Sequence, residues 1–93
     1  MSAEALSTKY ILSAEKVLNS MTRVQAPLTV DAECVENLIS YAMAYFEDAK
    51  YYKDKKKFET SLTSIAYCEG LLDALRLMGA VKFEWPKNTT IEE

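Results

Sequence analysis

The sequence predicts an all-α fold: an antiparallel helical hairpin preceded by one further helix, together a three-helix bundle, with a short extended C-terminal tail. Two observations carry that reading. Apolar residues recur at spacings of three and four through three separate stretches, as they do in helices with one covered face. Only two glycines and two prolines occur in 93 residues, too little turn chemistry for a many-stranded sheet. The hydrophobic fraction of 49% and charged fraction of 27% are those of an ordinary globular chain. Residues 1–86 are expected to form one helical domain and residues 87–93 a flexible polar tail.

The first helix is expected from about Ser2 to about Arg23. Ala3, Leu6, Tyr10, Ala14, Val17, Leu18 and Met21 form its apolar stripe, Ser2 is its cap, and Glu4 complements the dipole. Gln25-Ala26-Pro27-Leu28 ends it, because proline disfavours helical backbone at the residue before it. Thr29 is the candidate cap of the second helix, with Asp31 and Glu33 in the first turn. Val35, Leu38, Ile39, Ala42, Phe46 and Ala49 then mark a core-facing stripe to about Tyr52. The junction Lys53-Asp54-Lys55-Lys56-Lys57 holds neither Gly nor Pro. A tight turn there is inferred from the change of pattern, and one continuous helix is the rival.

The third helix, about Lys57 to Met78, carries Phe58, Leu62, Ile65, Cys68, Leu72 and Leu75 on one face. Gly79 follows where a C-terminal cap needs positive φ. Val81 to Pro86 reads as extended, with Phe83 and Trp85 either folded back on the helices or exposed for docking. In an antiparallel hairpin turning here, residues whose numbers add to about 110 lie level. Tyr41 is then level with Glu69, and Leu38 with Leu72. Cys34 and Cys68 are roughly 12 Å out of step along the axis, too far for a disulfide.

Several function classes are disfavoured by composition. Histidine is absent, which removes the commonest general base and every nucleophile–His arrangement. The glycines are Gly70 and Gly79 alone, so there is no glycine-rich phosphate loop. A net charge of -3 argues against broad nucleic-acid binding. No stretch is apolar enough for a membrane span, and the start lacks a secretory signal, so a cytoplasmic location is expected. Two cysteines are too few for a disulfide framework. Asn88-Thr89-Thr90 formally matches a glycosylation acceptor.

The remaining chemistry rests on carboxylates, tyrosines and lysines. Glu33 and Glu36 on the second helix and Glu69 and Asp73 on the third place two acidic pairs on adjacent helices. This is similar to the magnesium sites of helical nucleotide pyrophosphatases of the MazG type, although that family spaces its second pair by two residues rather than three. The structural alternative is pairing of Glu69 and Asp73 with Arg76 along one helix edge. Cys34, Tyr41, Tyr45, Asp48 and Tyr52 share one side of the second helix, either as rim tyrosines hydrogen-bonded to carboxylates or as a binding surface. Ala66, Gly70 and Ala74 form a small-residue ridge with Tyr67 and Leu77 alongside, suited to a close neighbour: helix one, or a second copy of the chain. Five of eleven basic residues lie between Lys50 and Lys57. They form either a solvated turn or, with Tyr51 and Tyr52 nearby, a contact for phosphate or RNA.

The run Tyr45-Phe46-Glu47-Asp48-Ala49-Lys50-Tyr51-Tyr52 and the run Ser64 to Gly79 resemble the short archaeal proteins classed as domain of unknown function 357. The pattern Ala-Tyr-x-Glu-Gly-x-x-Asp-Ala-x-Arg-x-x-Gly falls on Ala66, Tyr67, Glu69, Gly70, Asp73, Ala74, Arg76 and Gly79. The resemblance spans about Leu38 to Gly79. It implies a helical fold with no assigned activity, and it points to Asp48, Tyr67, Glu69, Gly70, Asp73 and Arg76 as shared positions.

The function expected is a non-catalytic interaction or accessory module that needs no cofactor and works through protein contacts, its own second copy included. Tyr41, Asp48, Tyr52, Tyr67, Glu69, Gly70, Asp73 and Arg76 are its candidate binding residues. The alternative is a magnesium-dependent phosphate-ester or nucleotide hydrolase using Glu36, Glu69 and Asp73.

Overall fold

A computed structural model describes residues 2–25 and 27–87. It is all-α, with three helices: α1 (Ala3–Ser20), α2 (Ala32–Asp54) and α3 (Phe58–Leu77). No strand occurs among the described residues. The polar tail from Asn88 onward, its glycosylation-type triplet included, lies outside them.

α1 begins as expected, with the Ser2 hydroxyl accepting the Ala5 amide at 3.1 Å. It stops three residues earlier than Arg23. The Met21 backbone is already extended, and the Ser20 hydroxyl donates back to the Lys16 carbonyl at 2.8 Å. A polar residue that satisfies its own turn, followed by Thr22 and Val24 with branched β-carbons, favours leaving the helix well before Pro27. α2 is capped by Asp31 instead of Thr29, and the Asp31 carboxylate accepts the Cys34 amide at 2.9 Å. That hydrogen bond, the largest cause, holds the Asp31 carboxyl below its ordinary range.

The lysine junction is a turn. Lys56 adopts φ 61°, and two backbone bonds close the end of α2: Lys57 N–H to Tyr52 C=O at 2.8 Å, and Lys56 N–H to Lys53 C=O at 3.0 Å. This pair is the Schellman arrangement. The end of α3 repeats it with glycine in the left-handed position. Gly79 has φ 77°, its N–H reaches Arg76 C=O at 3.0 Å, and the Ala80 N–H reaches Leu75 C=O at 2.9 Å. The same geometry therefore stops both helices of the hairpin, once with the residue suited to it and once without.

α2 and α3 pack antiparallel in the expected register. The Ser61 hydroxyl donates to the Ala49 carbonyl at 2.7 Å, and the Tyr45 and Tyr67 rings meet at 4.4 Å between centroids. Both contacts join residues that the register scheme places level. The buried residues are Ala42, Ala49, Cys68 and Leu75, with Leu75 fully covered. Three of the four are small, so the two backbones approach closely and little apolar volume separates them.

The expected apolar stripes run too far toward the turn. Phe46, Phe58 and Leu62 are exposed. The seam of α3 follows Ser61, Ile65, Cys68, Leu72 and Leu75, which leaves Phe58 and Leu62 turned off it. Ser61 holds the position near the turn that apolar patterning would assign to a hydrophobe. Every α1 residue except the half-buried Leu6 is exposed, and close backbone approach, with Cα atoms within 8 Å, is confined to α2 and α3.

Replacing Lys56 by glycine should raise stability by about 0.5–1 kcal/mol, since the strain of the left-handed position is removed at the cost of a more flexible unfolded chain. Gly79→Ala should lower it by about 1 kcal/mol for the converse reason. Urea unfolding followed by circular dichroism gives both values.

Candidate functional site

The eight candidate binding residues do not converge on one cleft. They divide into three places along the hairpin. Near the turn, Tyr52 is half-buried and its ring meets the Tyr51 ring edge-on at 5.2 Å. In the middle, Tyr67 stacks on Tyr45 across the hairpin while remaining 56% exposed, so one ring face packs and the rest meets solvent. Tyr41 is exposed, and among the described residues no hydrogen bond joins it to Glu69, so the expected cross-hairpin pair does not form. Asp48 and Glu69 are exposed as well.

The third place is the most organised. The Trp85 indole N–H donates to Asp73 Oδ1 at 2.7 Å, and an Arg76 guanidinium nitrogen lies 3.4 Å from the same oxygen. Arg76 also sits over the Phe83 ring at 5.8 Å from its centroid, and Phe83 meets Trp85 edge-on at 5.0 Å. Phe83 and Trp85 thus fold back onto α3, the first of the two arrangements the sequence left open. The Schellman turn at Gly79 reverses the chain, and Asp73 receives the returning indole. Asp73 pairs with Arg76 as the edge-pairing alternative requires, whereas Glu69 takes no part in that ion pair. The acceptor Asp73 is thereby committed to two donors of its own chain.

Among the described residues, no group of three or more Cys, Asp or Glu side chains is placed to hold a metal ion. The two cysteines are free and differ in access: Cys34 is exposed in the first turn of α2, and Cys68 is buried in the seam. Burial pushes the Cys68 thiol above its ordinary pKa, and the neighbouring Glu69 carboxylate adds to the effect. Cys68 is accordingly an inert core thiol.

Patterning alone assigned to the core a surface that the fold leaves open. Tyr10, Val17, Leu18 and Met21 of the α1 stripe are each more than half exposed. On α3, Ala66, Gly70 and Leu77 lie opposite the buried Cys68 and Leu75, given about 100° per residue. A β-carbon built at Gly70 would meet nothing within 4 Å, so the ridge has no close neighbour within this chain. Residues of α1 and of the N-terminal end of α3 line one groove. There Leu6, Ser7 and Tyr10 face Thr60, Leu62 and Thr63 across an open groove of about 520 Å³. Gly70 was the sequence signal for this surface: an exposed helical glycine costs about 1 kcal/mol against alanine and fills no space.

Asp73→Ala should release the returning segment, red-shifting Trp85 fluorescence and lowering stability by about 1 kcal/mol, a value discounted because the pair is half exposed. A thiol reagent should modify Cys34 rapidly in the native protein and Cys68 only on unfolding, as read by intact mass.

No curated protein and no solved structure matches the chain. The family described as Protein of unknown function (DUF357) matches residues 9–81, from the middle of α1 to just past the Gly79 turn, and so takes in the whole hairpin. The chain belongs to that family.

Proposed function

We propose that this protein is a non-catalytic helical interaction module, an accessory subunit that works by covering its apolar faces against protein. The observation that carries this reading is α1. It is a regular 18-residue helix with a good N-cap, yet no residue of it is buried. Isolated helices of this length are marginal in water, and most helical stability in proteins comes from tertiary packing of one face. A helix whose apolar stripe is left almost wholly uncovered by its own chain is half of an interface. Exposed Leu62, Tyr67 and Leu77 on α3 extend the apolar surface onto the hairpin, and tyrosine-bearing patches of this kind suit protein recognition.

The best-placed acidic residue, Asp73, supports the same reading. Its carboxylate anchors Trp85 and Arg76, which makes it a fastening for the C-terminal segment. Cationic side chains near the turn are spread over solvent-facing aromatics, as with Lys50 over Phe46 and Lys55 over Tyr51.

Hydrogen exchange on the dilute chain tests the proposal. α1 amides should exchange with little protection, while α3 amides around Cys68 and Leu75 stay protected. Equal protection of α1 in a demonstrably monomeric sample would mean that the faces are covered internally, and would overturn the interaction reading. Magnesium-dependent turnover of a phosphate ester, abolished in Asp73→Ala, would overturn its non-catalytic part.

A further inference from the structure

The chain exposes far more surface than a compact fold of its size. Its accessible area is 8529 Å², whereas a folded monomer of 10.5 kDa exposes about 5,400 Å². The Cα radius of gyration is 16.2 Å, against about 12 Å for a compact chain of this length. The excess of about 3,000 Å² per chain, about 6,000 Å² for two copies, more than covers what obligate homodimers bury, about 2,000–5,000 Å² over both partners. A small or transient contact would leave most of it uncovered.

Both halves of a complementary pair lie on this one chain. α1 offers large side chains, Tyr10, Val17 and Leu18, each more than half exposed. α3 offers the low ridge of Ala66, Gly70 and Ala74, all exposed, ending at Leu77. Large residues on one helix and small ones on the other are what close helix packing requires. The charges on α1 are Glu4, Lys9, Glu15 and Lys16 and cancel, so the acidic residues of α3 do not repel it. The chain's own α1 leaves the ridge open, since Gly70 has no neighbour within 4 Å and α1 makes no close backbone approach to α3.

We infer that a second copy of this chain covers these faces, with α1 of each protomer seated on the Ala66–Gly70–Ala74 ridge of its partner. This rests on the interaction reading above and names the partner. A two-fold arrangement buries both α1 faces and both ridges at once, because each protomer supplies what the other lacks. Eleven residues separate α1 from α2, and an extended segment of that length reaches about 36 Å, enough for α1 to cross to a neighbouring subunit.

The test is light scattering on the full chain, combined with hydrogen exchange. A mass of twice 10.5 kDa is expected at high micromolar concentration, with α1 protection appearing only as the dimer forms. Gly70→Leu fills the ridge at a position where the hairpin has room for a side chain, and Leu18→Glu charges the opposing face. Each should weaken dimerisation by about tenfold or more while circular dichroism still reports a folded hairpin. A dimer indifferent to both substitutions would overturn the inference. So would a monomer at high micromolar concentration, and the state of α1 then separates the two ideas. An unprotected α1 removes the second copy as partner and leaves the interaction reading standing, whereas a protected α1 removes both.

Discussion

The close approach of α2 and α3 is the constraint on which the rest of the molecule depends. Ala42, Ala49 and Cys68 are small enough to bring the two backbones together, and the Ser61 hydroxyl spans the gap to the Ala49 carbonyl. With the helices this near, their registers are coupled, and the positions of Tyr45 against Tyr67 and of Leu75 in the seam follow. The same closeness limits how much apolar surface the pair can cover. Two helices meeting through alanines bury one narrow strip each, so most large side chains on their other faces stay in solvent.

The C-terminal segment compensates for part of that shortage. Gly79 turns the chain back, and Phe83 and Trp85 lie along α3 where Asp73 and Arg76 hold them. A charged acceptor with two donors fixes the segment's direction, while the aromatic rings supply contact area. Asp73 and Arg76 thus serve the end of the hairpin, whereas Gly70 and Glu69, on the same helix, look outward. Neighbours along one helix are in this way divided between holding the fold and presenting a surface.

Much of the architecture was legible in the chain. The Ser2 cap, the left-handed glycine at position 79 and the hairpin register all depend on local rules that act within a few residues, and such rules can be read without tertiary information. What could not be read depends on competition between similar options. Asp31 and Thr29 are both good caps, and the choice rests on where extended backbone gives way to helix. Phe46, Phe58 and Leu62 fit a helical stripe by spacing, but a seam built on Ala49 and Ser61 has no room for them. A serine at a core-facing position is invisible to apolar patterning, because its contribution is one hydrogen bond to a particular carbonyl. The candidate site was legible as residue types and not as a constellation. Tyr41 and Glu69 share a level of the hairpin without bonding, whereas the Asp73–Trp85 bond depends on a reversal that spacing cannot describe.

The turn at residues 55–57 has a kinetic consequence. The Ser61–Ala49 bond joins residues only 12 apart in sequence, and closing so short a loop takes tens of nanoseconds. Contacts farther from the turn form in succession, each shortening the search for the next, so the hairpin belongs with the low-contact-order folds that mature in microseconds to milliseconds. α1 has no part in that zipper. Where its apolar face is covered by another polypeptide, that step is bimolecular and its rate depends on concentration.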